Sequence, residues 1–130
     1  MMHEVTDEEF DILIQRAMGD LPQDYVRNLD NVAITYADAP TPEQLITNNV
    51  GPHQLLLGLY EGIPQTSRLS TSYSGVLPDK ITLFKDPIRI VTHDDASFYE
   101  QIKRTLWHEI AHHYGLGHER IHVLERGRSE

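Results

Sequence analysis

The chain contains no cysteine among its 130 residues. No disulfide bond can therefore brace the fold, and no thiolate is available as a nucleophile or as a ligand for structural zinc. The absence also fits a reducing compartment. Stability and chemistry must both come from other side chains.

Long apolar runs are absent as well. No stretch of the sequence approaches the length that spans a bilayer. The N-terminal residues Met1-Met2-His3-Glu4 lack the basic and then apolar design of a secretion signal. We therefore expect a cytoplasmic protein that does not bind a membrane.

Basic residues are scarce. The chain has 11 Lys and Arg against 20 Asp and Glu, which gives a net charge of −9 with His neutral. The basic residues are dispersed except for a modest group at Arg120, Arg126 and Arg128. Because an acidic chain without a basic face repels phosphate backbones, we expect no nucleic-acid partner.

The composition is that of an ordinary globular domain. Apolar residues make up 39% of the chain and charged residues 24%, a usual balance for such domains. A chain of 130 residues can form one hydrophobic core but is too short for two substantial ones. We expect a single domain over residues 1–130.

The N-terminal segment predicts a capped, amphipathic helix. Thr6 and Glu9 have the spacing of a capping box, and the apolar residues after them recur at helical intervals until Gly19. A second, short helical segment is expected over residues 23–29. The apolar stripe of the first helix is typical of a surface that packs on a core.

Three strands are predicted in the middle of the chain. Residues 32–37 alternate as a strand does, residues 55–60 form a compact apolar run, and residues 79–85 alternate weakly. Pro42 can begin a short helix after the first strand. An extended piece is expected over residues 88–91.

A long helix is predicted near the C-terminus. Asp94 or Asp95 caps it, and the helix is expected to reach Tyr114. One side carries an apolar ladder for the core, formed by Phe98, Ile102, Leu106 and Ile110. Before it, residues 65–78 form a Ser- and Thr-rich loop, and loops of that length are often functional. The order of these elements predicts an α+β fold.

This helix carries the sequence H-E-x-x-H. His108 and His112 are four residues apart, so both rings project from one side of the helix and can bring a nitrogen to one metal ion. Glu109 lies beside them. The motif by itself is a moderate signal, because it also occurs on ordinary solvated helix faces.

The motif continues as H-E-x-x-H-x-x-G-x-x-H through Gly115 and His118. A straight helix cannot place a third ligand well, but Gly115 can take a left-handed conformation at the helix end and allow the chain to turn. His118 can then reach the metal that His108 and His112 hold. Three imidazoles with an open fourth position are typical of catalytic zinc.

With this long motif, the chain resembles the zincin-like metallopeptidases, and among them a family of small bacterial proteins known as minimal zincins. The resemblance covers most of the chain, although only the motif is highly specific. It extends to an N-terminal helix, Leu21-Pro22, Gly58-Leu59-Tyr60-Glu61-Gly62, and Leu77-Pro78-Asp79-Lys80-Ile81. It implies a zincin-like fold, in which a small mixed sheet of three to four strands packs on the N-terminal helix and the long active-site helix.

The resemblance also implies an activity and a site. His108, His112 and His118 would bind Zn²⁺, and Glu109 would be the general base that activates a zinc-bound water to hydrolyse a peptide bond. The expected partner is a peptide or protein substrate. Tyr60 or Tyr114 is a candidate to help hold the oxyanion. The substrate is expected to pair as a strand with an exposed sheet edge, formed by residues 79–84 or by the strand that ends at Tyr60.

The chain departs from the larger zincins in two respects. No Met follows His118 to form the Met-turn of the metzincins, and the lower subdomain that forms one wall of the substrate cleft is missing. These departures leave open a zinc-stabilised binding module without catalysis. A metal-dependent endoribonuclease with three similarly spaced His is a further alternative, but Glu109 and the acidic charge argue against it.

Four other histidines have a simpler interpretation. His113 follows a predicted ligand but points about 100° away from it on a helix, which favours a surface or supporting position. His53 is expected in a loop. His93 and His122 do not have ligand spacing to the motif.

Overall fold

The computed structural model describes residues 4–62 and 78–115. Within this part of the chain there are five helices and three strands. The helices are α1 (Asp7–Asp20), α2 (Gln23–Arg27), α3 (Pro42–Thr47), α4 (Lys85–Ile90) and α5 (Asp95–His113). The strands are β1 (Val32–Ala37), β2 (Gly58–Glu61) and β3 (Asp79–Phe84). Within these described ranges, no helix is both long enough and apolar enough to cross a membrane.

The predicted cap of α1 is confirmed. The Glu9 main-chain N–H donates to Thr6 Oγ1 at 3.1 Å, and the Thr6 N–H donates to Glu9 Oε1 at 3.0 Å. Val5 before the cap and Phe10 within the first turns are both buried, as expected for residues that close the helix start over the core. The cap therefore fixes where α1 begins and which side faces inward.

The sheet has the order β1-β3-β2, with β1 parallel and β2 antiparallel to β3. Val32 pairs with Asp79 at one end of β1, and Gly58 pairs with Leu83 in β2. The mixed, three-stranded sheet confirms the predicted fold class. Because β3 is central and paired on both sides, the prediction that residues 79–84 could offer an edge to a peptide is wrong; β2 is an edge strand of the described sheet.

The second strand is shorter than predicted and lies further along the chain. It runs over Gly58–Glu61 rather than residues 55–60, and Leu55 is exposed. The Leu57 carbonyl still accepts a hydrogen bond from the Phe84 N–H at 2.9 Å. Beyond Phe84 the chain turns into α4, so Leu55 and Leu56 have no strand to pair with among the described residues.

The expected extended piece over residues 88–91 is wrong, because the chain forms helix α4 over Lys85–Ile90. Pro87 lies in its first turn, where a helix needs no main-chain N–H donors and tolerates proline. Ile88 is fully buried, whereas Ile90 and Val91 are exposed. In a strand, Ile88 and Ile90 would face the same side, but only Ile88 is buried. This burial pattern fits a short helix.

Helix α5 is capped at Asp94, whose carboxylate accepts a hydrogen bond from the Ser97 N–H at 2.8 Å. It packs on α1 and on the inner face of β2 and β3. Its predicted apolar ladder is buried as expected. The side chains at the centre of the core are Phe10, Ile14, Ile81, Leu83, Phe84, Ile88, Phe98, Ile102, Leu106 and Ile110.

Candidate metal centre

His108 and His112 lie on α5, one turn apart, and each ring is oriented through its Nδ1 atom. His108 Nδ1 lies 3.2 Å from the Arg104 carbonyl oxygen, and His112 Nδ1 lies 3.3 Å from Glu109 Oε1. A carbonyl or a carboxylate oxygen can only accept, so both Nδ1 atoms are the donors. In the neutral imidazole each Nε2 is then the acceptor nitrogen, which is the form of the ring that binds a metal.

Glu109 is the buried acid of this helix, with only 9% of the residue exposed. Its carboxylate accepts hydrogen bonds from the His112 ring and from the Tyr60 main-chain N–H of β2. Burial raises the pKa of Glu109 above its usual value of 4.5, and attraction to His112 and the two hydrogen bonds oppose that rise. A carboxylate in such surroundings is held in one orientation and is readily protonated.

Strand β2 lies directly against this side of α5. A β-carbon on Gly58 would stand 3.4 Å from Glu109 Cγ and 2.6 Å from Thr105 Cγ2. The second distance is shorter than any ordinary carbon contact, so only glycine allows the strand to approach the helix this closely. The edge strand and Glu109 are therefore adjacent.

Tyr60 links β2 to the end of α5. Its hydroxyl donates a short hydrogen bond to Asp79 Oδ2 and lies 3.1 Å from His113 Nδ1. The rings of Tyr60 and His113 are 5.8 Å apart between centroids. Sequence spacing alone did not connect Tyr60 with His113, because only the pairing of β2 with β3 and the packing of α5 bring them together.

The Tyr114 side chain contacts α2 and not β2. Its hydroxyl donates to the Tyr25 carbonyl of α2 at 2.6 Å, and the two rings pack edge to face at 5.1 Å. Trp107 packs against the same Tyr25 ring at 5.3 Å. This cluster anchors α5 to α2, so the geometry does not support the expected use of Tyr114 as an oxyanion donor.

The end of α5 has the geometry that the motif predicts. The helix ends at His113, Tyr114 is its C-cap, and Gly115 has φ +70°. A left-handed residue at this position ends a helix and redirects the chain. The predicted third ligand, His118, lies outside the described residues, as do His122 and most of the loop over residues 65–78.

The described donors suit zinc in their chemistry. Two imidazoles lie one helical turn apart, and each has its Nδ1 atom engaged by a neighbouring oxygen. Zn²⁺ binds imidazole nitrogen, and it does so through Nε2 where Nδ1 is occupied in this way. Within residues 4–62 and 78–115 no group of three metal-ligating side chains is present, and these residues include two of the three predicted ligands.

The other described histidines occupy positions consistent with their predicted roles. His53 and His93 are exposed, in a turn and before the α5 cap respectively. His113 is half buried against Tyr60, which makes it a supporting residue rather than a surface one. The only sequence signal that His113 supports the candidate site is its position one residue after His112.

Comparison with known proteins gives one family match. The model of a family described as zincin-like metallopeptidase matches residues 29–128. No curated protein matches the chain significantly. A solved structure of a conserved hypothetical protein from Thermus thermophilus is similar, with a TM-score of 0.54 and 23% identity, over 85% of this chain and 94% of the other. That likeness supports the fold alone.

Proposed function

The chain belongs to the zincin-like metallopeptidase family, and we propose that it is a zinc-dependent peptidase whose general base is Glu109. The observation that carries the proposal is the placement of Glu109. Its carboxylate is buried, hydrogen-bonded to His112, and adjacent to the edge strand β2. A structural metal site uses such a carboxylate only to orient a ligand, whereas a buried carboxylate with a raised pKa can also act as a base.

His108 and His112 would hold the zinc ion through Nε2, with His118 as the third ligand. The ion, when bound, would polarise the substrate carbonyl and make water acidic enough to react near neutral pH. The contacts of Nδ1 with the Arg104 carbonyl and with Glu109 favour the Nε2-acceptor tautomer in the two described rings. Such supporting hydrogen bonds commonly set ligand orientation in metal sites.

Glu109 would take a proton from the attacking water and deliver it to the leaving amine. Burial raises the pKa of Glu109, which favours a group that must carry the proton between these two steps. The Tyr60 N–H and the His112 ring restrict the carboxylate to one orientation.

The edge strand supports a peptide as the substrate. The Leu57 carbonyl bonds to β3, and neighbouring residues of an antiparallel strand turn their main-chain groups alternately toward and away from the partner. Gly58 and Tyr60 therefore turn these groups away from β3, and Glu109 takes the Tyr60 N–H. An extended peptide could pair with the outward main-chain groups of this edge that Glu109 does not use, as in strand addition.

The test combines metal analysis with a peptidase assay. Glu109→Gln should bind one equivalent of zinc and lose turnover of a fluorogenic peptide library, whereas His112→Ala should lose both. Glu100→Gln on the exposed side of α5 and His93→Ala before it are matched controls and should resemble wild type. A chelator should abolish all cleavage.

Three outcomes would contradict the proposal. Turnover by Glu109→Gln at the wild-type rate would remove Glu109 from the role of base. Wild-type protein that binds zinc but cleaves no member of the library would favour the alternative, a zinc-stabilised binding module. Cleavage that survives the chelator would point to a contaminating enzyme.

A further inference from the structure

Tyr60 touches the last two turns of α5 at two points. Its main-chain N–H donates to the Glu109 carboxylate, and its hydroxyl lies 3.1 Å from His113 Nδ1. Glu109 and His113 are one turn apart, and His112 lies between them. A single residue of the edge strand therefore contacts α5 before and after a predicted zinc ligand.

The direction of each hydrogen bond follows from the groups involved. The Tyr60 hydroxyl has one proton, and it donates this proton in its hydrogen bond to the Asp79 carboxylate. The phenol oxygen can then only accept from His113, so His113 Nδ1 must be the donor. The direction of the contacts Asp79–Tyr60–His113 is thus determined, and they tie the end of α5 to both β2 and β3.

The position of this contact matters because α5 ends there. His113 is the last helical residue, and the chain turns at Gly115 with φ +70°. On the neighbouring residue, the Tyr114 hydroxyl fixes the helix to α2. The final turn is therefore anchored at α2 through Tyr114 and at β2 through His113, while fraying would otherwise be expected at a helix terminus.

We infer that Tyr60 is a positioning residue for the metal centre: its phenol, anchored by Asp79, holds His113 and thereby fixes the last turn of α5 in the orientation that presents His112 to zinc. The inference rests on the proposed function, because it takes His112 to be a ligand. Tyr60 would not itself contact the metal. Its effect reaches the site through the helix.

Tyr60→Phe is the direct test, because it retains the ring and the main-chain N–H to Glu109 and removes only the hydroxyl. We expect the zinc Kd to rise about tenfold, the size of effect that supporting hydrogen bonds have on metal affinity. Amide hydrogen exchange of residues 110–115 in the metal-free variant should become faster, while exchange at the centre of α5 stays unchanged. In the peptidase assay, kcat at saturating zinc should fall less than zinc affinity.

Tyr99→Phe is a matched control. Tyr99 also donates its hydroxyl to an aspartate, Asp20, but near the start of α5. This variant should leave the zinc Kd and the exchange of residues 110–115 unchanged. A general loss of stability would affect both variants alike, whereas positioning affects Tyr60→Phe alone.

Two His113 variants test the other side of this contact, and the second of them should restore zinc binding. His113→Ala removes the donor and should weaken zinc binding as Tyr60→Phe does, whereas His113→Asn restores an N–H near the Nδ1 position and should recover most of the affinity. The double variant Tyr60→Phe/His113→Ala should be no weaker than either single one, because both remove the same contact.

The inference is overturned if Tyr60→Phe binds zinc as tightly as wild type, or if residues 110–115 exchange at the wild-type rate. Failure of the proposed function has a different signature. If wild type binds no zinc, the exchange measurement on metal-free protein still decides whether Tyr60 holds the helix end. If wild type binds zinc without cleaving peptides, the zinc Kd of Tyr60→Phe still decides whether Tyr60 positions the metal centre.

Discussion

Gly58 lies so close to Thr105 that a β-carbon on the glycine would stand 2.6 Å from the Thr105 Cγ2 methyl. This approach brings the edge strand β2 against the side of α5 that carries Glu109. Thr105 is buried, with 6% exposed, so its methyl has no open space into which to move. The packing of glycine on threonine therefore sets the distance between the strand and the candidate base.

Gly58→Ala should separate β2 from α5 or force both to shift. Overpacking of this kind costs about 2 kcal/mol of unfolding free energy. Glu109 should also lose its hydrogen bond from the Tyr60 N–H, because the strand moves away from the helix. Urea unfolding of metal-free protein measures the first effect, and peptidase activity measures the second.

Thr105→Ser provides the control for this prediction. It removes the Cγ2 methyl and retains the hydroxyl, which in wild type accepts a hydrogen bond from Gln101 at 2.9 Å. The double variant Gly58→Ala/Thr105→Ser should recover about 1 kcal/mol relative to the sum of the single variants. Strict additivity of the two would show that the clash is not with this methyl.

Tyr99 should give the protein a distinctive loss of stability in alkali. Burial and the hydrogen bond to Asp20 raise the pKa of Tyr99 from 10.0 to about 12. The neutral phenol is favoured in the fold, so its contribution to stability is complete below pH 10 and is lost as the pH rises toward 12. Tyr99→Phe should lack this component and should cost about 1 kcal/mol at neutral pH through the lost hydrogen bond.

Unfolding free energies of wild type and Tyr99→Phe across the alkaline range measure this difference. The stability advantage of wild type over Tyr99→Phe should shrink as the pH rises from 10 to 12. Ultraviolet difference titration of the same pair isolates the Tyr99 phenolate. Ionisation of that phenol near its usual value of 10.0 would contradict the assignment of its environment.

Glu109→Gln should change how the stability of metal-free protein depends on pH. Because burial raises the pKa of Glu109, the protonated form suits the fold better than the carboxylate. The stability that this group contributes is complete below its usual pKa of 4.5 and is lost as the pH rises through the raised value. Glutamine does not ionise, so the variant should become more stable relative to wild type as the pH increases toward neutrality.

Denaturant unfolding with a chelator present measures this relative stability at several pH values. Glu100→Gln, on the exposed side of the same helix, should show no comparable trend. A difference between Glu109→Gln and wild type that stays constant with pH would mean that the carboxylate is not destabilised by burial. The result does not depend on peptidase activity.

Local sequence signals predicted the starts of the two long helices, α1 and α5, well. Thr6 with Glu9 marked the start of α1, and α5 was expected to begin at Asp94 or Asp95, of which Asp94 is the cap. Both caps depend on a side chain that bonds to a main-chain N–H three residues ahead, so a short stretch of sequence contains the whole interaction. The strand over residues 32–37 was also predicted with its observed bounds.

Predictions that depended on non-local pairing were less accurate. Residues 55 and 56 are apolar enough for a strand, but α4 begins where their partner would lie. The same helix replaced the predicted extended piece over residues 88–91. A strand exists only where a neighbour supplies hydrogen bonds, and the sequence of one segment does not say where its neighbour ends.

The motif itself determined that His108, Glu109 and His112 would share one region of a helix and that Gly115 would turn the chain, because helical periodicity and the conformational freedom of glycine are properties of a few adjacent residues. The tertiary structure decided which groups surround them. Tyr60 is 53 positions from His113 along the chain, and no local rule relates the two. Their contact arises only after β2 pairs with β3 and Gly58 lets that strand rest on α5.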